Sequence, residues 1–279
     1  MDKRFEIEPG RGRTVLVVVA HADDVALFLG GTVARWAEAG WRVVAVRATD
    51  DRWDSVDLPE ELTVAAARRE LEAAAAVLGV AELVDLNYPT DTLGDLSEVE
   101  LREHIIRLVR THRPHTLVTF DPYGMFGEDN QDHLKVAAAT DEAFWTSQFD
   151  KHHPEHLEAG LEPHGVAERW YFARRVVEVT DVIDVSAVID RKVEAVLCHH
   201  AAMVNYMQQL ILQARTAGLR VPLLEQARAG DLRPVVEPLV LDGVRRVGER
   251  HGLAMAEEFR VVRLGGMAAW FADHGVPLD

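Results

Sequence analysis

The sequence predicts an α/β protein with a Rossmann-like, mostly parallel sheet, helices on both faces of that sheet, and a C-terminal α/β elaboration. Runs of β-branched residues alternate with longer helical stretches through the first half of the chain, as in successive βαβ units. The segment from Val15 to Ala20 is entirely apolar, which is typical of a strand buried on both faces. One histidine and two aspartates follow it closely, at the strand end where open α/β sheets bind their ligands.

The first half of the chain predicts four strands with helices between them. Gly30-Gly31 is expected to open the first helix, and Gly40 to end it. Ser97 with Glu100 forms a capping-box pattern before the third helix. The predicted strands are 14–20, 42–48, 83–86 and 116–120, and the predicted helices are 32–39, 58–78, 101–110 and 131–144.

The second half is less regular. Residues 147–168 are polar and contain several His and Pro, which predicts a long loop or excursion of the kind that is often functional or mobile. We expect strands at 170–172, 176–179 and 259–264 and a helix over most of 188–215. Because no repeat or linker stands out, we predict one domain over 1–279, with a core of about 13–200 and a largely helical elaboration of about 201–279.

Composition narrows the partners that this chain is expected to have. Its 279 residues, 48% of them hydrophobic, suffice for a sizeable core. A net charge of −16 argues against nucleic acid and anionic membranes as partners. The single cysteine, Cys198, indicates a reducing compartment. With no apolar signal core and no stretch long enough to span a bilayer, we expect a cytoplasmic protein that acts on a small molecule.

Two motifs carry the candidate chemistry: His21-Ala22-Asp23-Asp24 and Asn130-Gln131-Asp132-His133. Each follows a predicted strand of the parallel sheet, so both are expected at the same sheet edge. Buried carboxylates need a partner, and a His-Asp-His set with an open fourth position suits catalytic zinc. Such a metal lowers the pKa of its bound water to about 7. Asp23 is the carboxylate left outside the ligand set, so it is free to act as general base. Without the second motif, a polar strand end with an aspartate capping the next helix would be the simpler interpretation.

These segments resemble a known family. AHADDVALFLGGTVA is similar to the AHPDDxxxxxGGT signature of the LmbE-like, or PIG-L, zinc-dependent N-acetylglucosaminyl deacetylases, and DPYGMFGEDNQDH is similar to their second signature, which ends in HPDH. The segment that ends at His199 resembles their late K-x-x-A-x-x-x-H pattern. The resemblance implies a Rossmann-like fold and Zn²⁺, or else Fe²⁺ or another divalent metal, held by His21, Asp24 and His133. It also implies Asp23 as the base that assists attack of water on an acetamide.

Three departures from the family pattern concern catalysis. Asn130 stands where the family usually has a histidine that assists the oxyanion and is oriented by the next carboxylate, here Asp132. Asn130 either donates a hydrogen bond to the oxyanion or caps the helix, and the predicted catalytic set is Asp23, Asn130 and Asp132. Phe126 stands where a tyrosine is common, and Glu128-Asp129 are two extra residues. Cys198, His199 and His200 are expected to lie on a helix with Cys198 in the core, and the position of His199 in the family pattern makes it a candidate to line the site.

The predicted function is metal-dependent removal of an acetyl group from an N-acetylated amino sugar or glycoside. A non-catalytic, metal-binding descendant of the same fold is the alternative, motivated by Asn130 and Phe126. A nucleotide-binding oxidoreductase is less favoured, because a dinucleotide fingerprint needs glycines directly after the first strand, where this chain has carboxylates. No organic cofactor is expected. Related enzymes often form rings or dimers, so a homo-oligomer is an open expectation.

Overall fold

A computed structural model describes residues 5–124 and 127–276. The strands are β1 Thr14–Val19, β2 Arg42–Thr49, β3 Glu82–Tyr88, β4 Thr116–Phe120, β5 Glu168–Phe172, β6 Asp181–Asp184 and β7 Ala256–Arg263. The helices are α1 Asp24–Glu38, α2 Glu60–Leu78, α3 Glu98–His112, α4 Gln131–Thr146, α5 Pro154–Glu158, α6 Ile189–Cys198, α7 His200–Thr216, α8 Pro222–Ala229, α9 Arg233–His251 and α10 Ala268–His274.

The strands form one seven-stranded sheet in the order β3-β2-β1-β4-β5-β7-β6. The first five strands run parallel, whereas β7 is antiparallel to both β5 and β6. This arrangement confirms the predicted α/β class. Because β7 lies between β5 and β6, the end of the chain shares the sheet with its beginning. The division into a core and a C-terminal elaboration stays a prediction.

The sheet has a hydrophobic core on each face. Val15, Val17 and Val19 of β1 join a cluster that includes apolar residues of α1, α2, α6, α7 and α9. Leu16 and Val18 point the other way, into a cluster with α3 and α4. Alternate residues of one strand therefore enter two cores, which explains why β1 is apolar from Val15 to Val19.

Helix α1 begins at Asp24, so the prediction that Gly30-Gly31 opens it is wrong. The glycines instead follow a kink at Leu29, whose φ of −139° is not helical. A Cβ on Gly31 would lie 2.6 Å from Cγ1 of Val185, so the absence of a side chain permits close packing at the kink.

The second half holds most of the errors in the predicted elements. Residues 176–179 are irregular, and the edge strand is β6 instead. The predicted helix over 188–215 is divided at His199 into α6 and α7, and α5 lies inside the predicted loop. Helices α8 to α10 lie in the region predicted to be largely helical, but the individual helices were not predicted. Helix α9 contains Pro238, which ordinarily argues against a helix interior.

The predicted cap of α3 is absent: Ser97 precedes the helix but makes no side-chain capping hydrogen bond. Over the ranges 5–124 and 127–276, no helix combines the length and apolarity that crossing a membrane requires.

Candidate metal centre and active site

The candidate site lies between the carboxyl ends of β1 and β4. These strands are neighbours in the sheet. Strands β2 and β3 lie on one side of β1, whereas β4 and β5 lie on the other, and open α/β folds form their ligand crevice where the strand order reverses in this way. His21 follows β1, Asp24 begins α1, and His133 lies in the first turn of α4. All three side chains are buried.

The structure brings these three side chains together as a candidate metal-ligand set. Nδ1 of His21 is 3.1 Å from Nε2 of His133. Asp24 Oδ1 lies 3.3 Å from that Nε2, and Asp24 Oδ2 lies 3.7 Å from Nδ1 of His21. Ligands about 2.0–2.1 Å from a tetrahedral zinc are separated by about 3.3 Å. The spacing therefore fits three corners of a tetrahedral cation site.

The outer nitrogen of each imidazole faces a carboxylate. Nε2 of His21 is 3.4 Å from Oδ2 of Asp132, and Nδ1 of His133 is 2.9 Å from Oε2 of Glu128. Metal-bound histidines commonly have such a partner, which selects the tautomer and aims the other nitrogen at the metal. Asp132 thus lies against His21.

Asp132 is completely buried and is itself held in place. Its carboxylate accepts hydrogen bonds from the backbone N–H groups of Asp91, at 2.6 Å, and Leu93, at 3.1 Å. The loop after β3 therefore fixes the side chain that faces His21.

Asn130 is the N-cap of α4. Its Oδ1 accepts from the backbone N–H of Asp132 at 2.9 Å and, at 3.4 Å, from that of His133. The capping interpretation of this residue is therefore confirmed. Contact of its amide with an oxyanion stays a prediction.

Asp23 lies beside the ligand set and is 4% exposed. Within the described part of the chain, its Oδ2 has no hydrogen-bond partner. Burial and then the negative charge of Asp24 raise the pKa of Asp23 to about 7, while the charge of His21 and, to a smaller extent, a hydrogen bond with Tyr206 oppose the rise. A buried carboxylate with a free oxygen and a near-neutral pKa is suited to proton transfer.

The surrounding charges favour a cation. Burial alone would lower the pKa of His21, but the hydrogen bond to Asp132 and the charges of Asp24 and Asp51 raise it to about 10. Burial likewise opposes protonation of His133, yet Asp24 raises its pKa. The negative charge of the surrounding carboxylates thus favours positive charge at this point, which a divalent cation would supply.

Sequence reasoning missed two residues of the site. Glu128 was interpreted as part of an insertion, although an acidic residue shortly before a candidate ligand is a signal for a supporting carboxylate. Tyr206 comes from α7, far along the chain, and no local pattern marks it. Phe126 lies outside the described residues.

His199 is not part of the ligand set. It is 1% exposed, and it borders a small apolar cavity together with Ala22, Val25 and residues of α2. Its Nε2 finds no hydrogen-bond partner among the residues that the structure describes. Burial lowers the pKa of His199 to about 4, so the structure favours core packing for this residue.

A second group of potential ligands lies elsewhere, formed by Glu103, His153, Glu155 and His156. Nη1 of Arg110 is 3.1 Å from Nδ1 of His156. Because a guanidinium only donates, Nδ1 accepts, and Nε2 keeps the proton that it shares with Glu103 at 2.7 Å. Metal binding at Nε2 would require an imidazolate, so this group is interpreted as a buried hydrogen-bond network.

Comparison with known proteins agrees with this geometry. The PIG-L family of GlcNAc-PI de-N-acetylases matches residues 16–144, which include all three candidate ligands. A 1D-myo-inositol 2-acetamido-2-deoxy-alpha-D-glucopyranoside deacetylase of Rhodococcus jostii is 30% identical over an alignment that covers 67% of this chain and 80% of that protein. The chain belongs to the PIG-L family. The prediction that it belongs to the LmbE-like, or PIG-L, family of N-deacetylases is confirmed.

Other PIG-L relatives extend the comparison. Diacetylchitobiose deacetylase of Thermococcus kodakarensis is 29% identical over 192 residues, covering 68% of this chain and 70% of that protein. The structure of N,N'-diacetylchitobiose deacetylase from Pyrococcus horikoshii superposes with a TM-score of 0.74 at 22% identity, over 96% of this chain and 88% of that one. The structural likeness establishes a shared fold.

Proposed function

We propose that this chain is a metal-dependent amide hydrolase that releases acetate from an N-acetylated amino sugar or a related small glycoside. The observation that carries the proposal is the convergence of His21, Asp24 and His133 at one sheet edge beside Asp23, whose Oδ2 has no partner among the described residues. The activities named for the PIG-L relatives supply the substrate class.

The three ligands are proposed to hold Zn²⁺, with Fe²⁺ or another divalent metal as the alternative. Two imidazoles and one carboxylate form the donor set of a catalytic site with an open fourth position, and the interatomic spacing supports it. When bound, the cation supplies Lewis-acid activation of water and of the amide carbonyl. Asp132 and Glu128 hold the imidazoles in the binding tautomer.

Asp23 is proposed to carry the proton through the reaction. Its carboxylate takes a proton from the attacking water as the new carbon–oxygen bond forms. It then delivers that proton to the nitrogen as the carbon–nitrogen bond breaks. One water is consumed, and the products are acetate and a free amine. The amide of Asn130 is proposed as an additional donor to the oxyanion.

A metal-holding protein without turnover is the second candidate. The observation behind it is that the Asn130 oxygen is used in capping α4, and an amide transfers no proton as an imidazole would.

A homo-oligomer and a cytoplasmic location also remain proposals.

The test combines metal analysis of the purified chain with an assay for free amine over a panel of N-acetylated sugars. We expect His133→Ala to lose both metal and activity. Asp23→Asn should keep the metal and lose about a hundredfold or more in kcat. His200→Ala is the matched control, because His200 is an exposed histidine outside the site. Full turnover by Asp23→Asn would disprove the assigned base, and one metal per chain without any turnover would favour the second candidate.

A further inference from the structure

A cavity of about 330 Å³ opens beside the candidate metal ligands. Asp24 and His133 form part of its wall, and Arg174 and Tyr206 also face it. The remaining wall is mainly apolar and comes from α1, α7 and α9, with Val196 contributed by α6. Its apolar residues include Phe28, Met203, Met207, Leu210, Val236 and Val240.

The size of this cavity exceeds what the reaction itself requires. An acetyl group presents one methyl to its surroundings, whereas cavities from about 300 Å³ upward enclose drug-sized ligands. Besides the two ligands, polar groups in the lining come from Arg174, Tyr206, Gln209 and Gln213. The apolar part of the wall is poorly matched to a bare sugar, whose hydroxyls each need a hydrogen-bond partner once buried.

Most of the wall comes from a different part of the chain than the candidate ligands. His21, Asp24 and His133 lie inside the segment that matches the PIG-L family, residues 16–144. Helices α7 and α9 lie beyond that segment. The reactive centre is thus built from the part of the chain that the family match covers, whereas the adjacent apolar wall, apart from Leu27 and Phe28 of α1, comes from a part that the match does not include.

We propose that this cavity binds an apolar group of several carbons carried by the substrate, next to the amide that is cleaved. The inference rests on the proposed function and specifies its substrate class. Such a group is attached either on the acyl side, as a chain longer than acetyl, or on the amine side, as an apolar aglycone. Both place the same hydrocarbon chemistry against Met203, Met207 and Leu210.

Two substrate series distinguish these attachments. One runs from N-acetyl to N-hexanoyl glucosamine, and the other from methyl to hexyl glycosides of N-acetylglucosamine. We expect kcat/KM to rise in one series by about fourfold for each methylene that is fully buried. A rise in the first series identifies the acyl side, and a rise in the second identifies the aglycone. Flat or falling kcat/KM in both series would overturn the proposal.

Two substitutions on α7 locate the effect. Leu210 lines the cavity, whereas Leu212 is 51% exposed and is not among the lining residues. Leu210→Asp is expected to remove most of the chain-length dependence, because a carboxylate beside the chain opposes its transfer from water. Leu212→Asp is expected to retain it. Equal chain-length dependence in both variants would place the apolar contact elsewhere and contradict the proposal.

A binding measurement separates this inference from the proposed reaction. Alkyl glucosides of increasing chain length contain no amide, so calorimetric titration of the wild-type chain with them does not depend on hydrolysis. We expect Kd to fall with chain length, and Leu210→Asp to weaken binding of the longer members. Binding that strengthens with chain length, without turnover of any amide, would support the assignment of the cavity and disprove the proposed reaction. Turnover of acetamides with no effect of chain length on either binding or rate would support the proposed reaction and disprove the assignment of the cavity.

Discussion

At His133, one carboxylate outside the predicted set holds the imidazole in place. Glu128 faces Nδ1 of His133 and also accepts a hydrogen bond from the backbone of Asn130 at 3.1 Å. Arg174 lies 3.2 Å from the same carboxylate. The two residues that lengthen this loop relative to the family signature therefore include a side chain that supports a candidate ligand.

We expect Glu128→Ala to weaken zinc binding by about 10–100-fold, the usual cost of losing a partner of a metal-bound histidine. Competition with a chromogenic chelator measures the change. Asp129→Asn is the control, since Asp129 is adjacent and exposed. Unchanged affinity in Glu128→Ala would show that the orientation of His133 does not depend on this carboxylate.

Asn130 allows its two possible roles to be measured separately. Replacing it with Ala removes the cap of α4 and should cost about 1 kcal/mol of unfolding free energy. Asn130→Asp keeps a capping oxygen but lacks the amide donor, so it should retain the stability. Urea denaturation measures the unfolding free energy, and kcat measures the contribution of the amide donor to catalysis. If Asn130→Asp is stable and fully active, the amide has no part in stabilising the oxyanion.

At the scale of elements, the kink of α1 is supported by two distant side chains. Glu257 of β7 accepts from the backbone N–H groups of Gly31, at 3.0 Å, and Thr32, at 2.7 Å. Lys192 of α6 donates to the carbonyl of Leu27 at 2.8 Å and to Glu257 at 2.6 Å. Backbone groups released by the kink thus find partners, and the helix that begins with Asp24 is held against the rest of the fold.

Removing one member of this buried pair should be costly. We expect Lys192→Met to lower the unfolding free energy by about 3–5 kcal/mol, because Glu257 is left as an unpaired buried charge. Glu194→Gln on the same helix is the control, since its pair with Arg233 is exposed, and it should cost less than about 1 kcal/mol. Similar losses in both variants, measured by urea denaturation, would contradict the bridging role of Lys192.

For the whole molecule, His199 makes folding stability depend on pH. Its pKa is lowered by burial to about 4 in the folded chain, against about 6.5 when unfolded. Above pH 6.5 both states are neutral at this residue. As pH falls from about 6.5 through 4, the unfolded chain binds a proton that the folded chain refuses, so stability is lost.

We expect this single residue to account for at most about 3 kcal/mol of the stability that the metal-free protein loses on acidification from pH 7 to pH 4. His199→Gln should show a correspondingly shallower fall in unfolding free energy over that window. His200→Gln, next to it but exposed, should follow the wild type. If the His199→Gln and wild-type curves run parallel, His199 is protonated equally in both states.

Much of the α/β core could be predicted because its signals are local. An apolar run, a β-branched run or an amphipathic stretch reflects burial of that same segment, so β1, β2, β4 and α4 lie close to their predicted positions. The C-terminal helices could not be predicted in the same way. Pro238 and two glycines, Gly243 and Gly248, interrupt the pattern of α9, which packs against α6 and β7.

The sequence by itself determined the fold class, the family and the pairing of two distant motifs, because residue type and strand order dictate which side chains meet at one sheet edge. Only the tertiary structure decided which carboxylates face the two histidines, how the kink of α1 is held, and what surrounds His199. Those contacts join residues far apart in the chain, and no local periodicity records them. The same reason applies to the apolar wall beside the ligands, whose residues acquire a common surface only when α7 and α9 pack against α1.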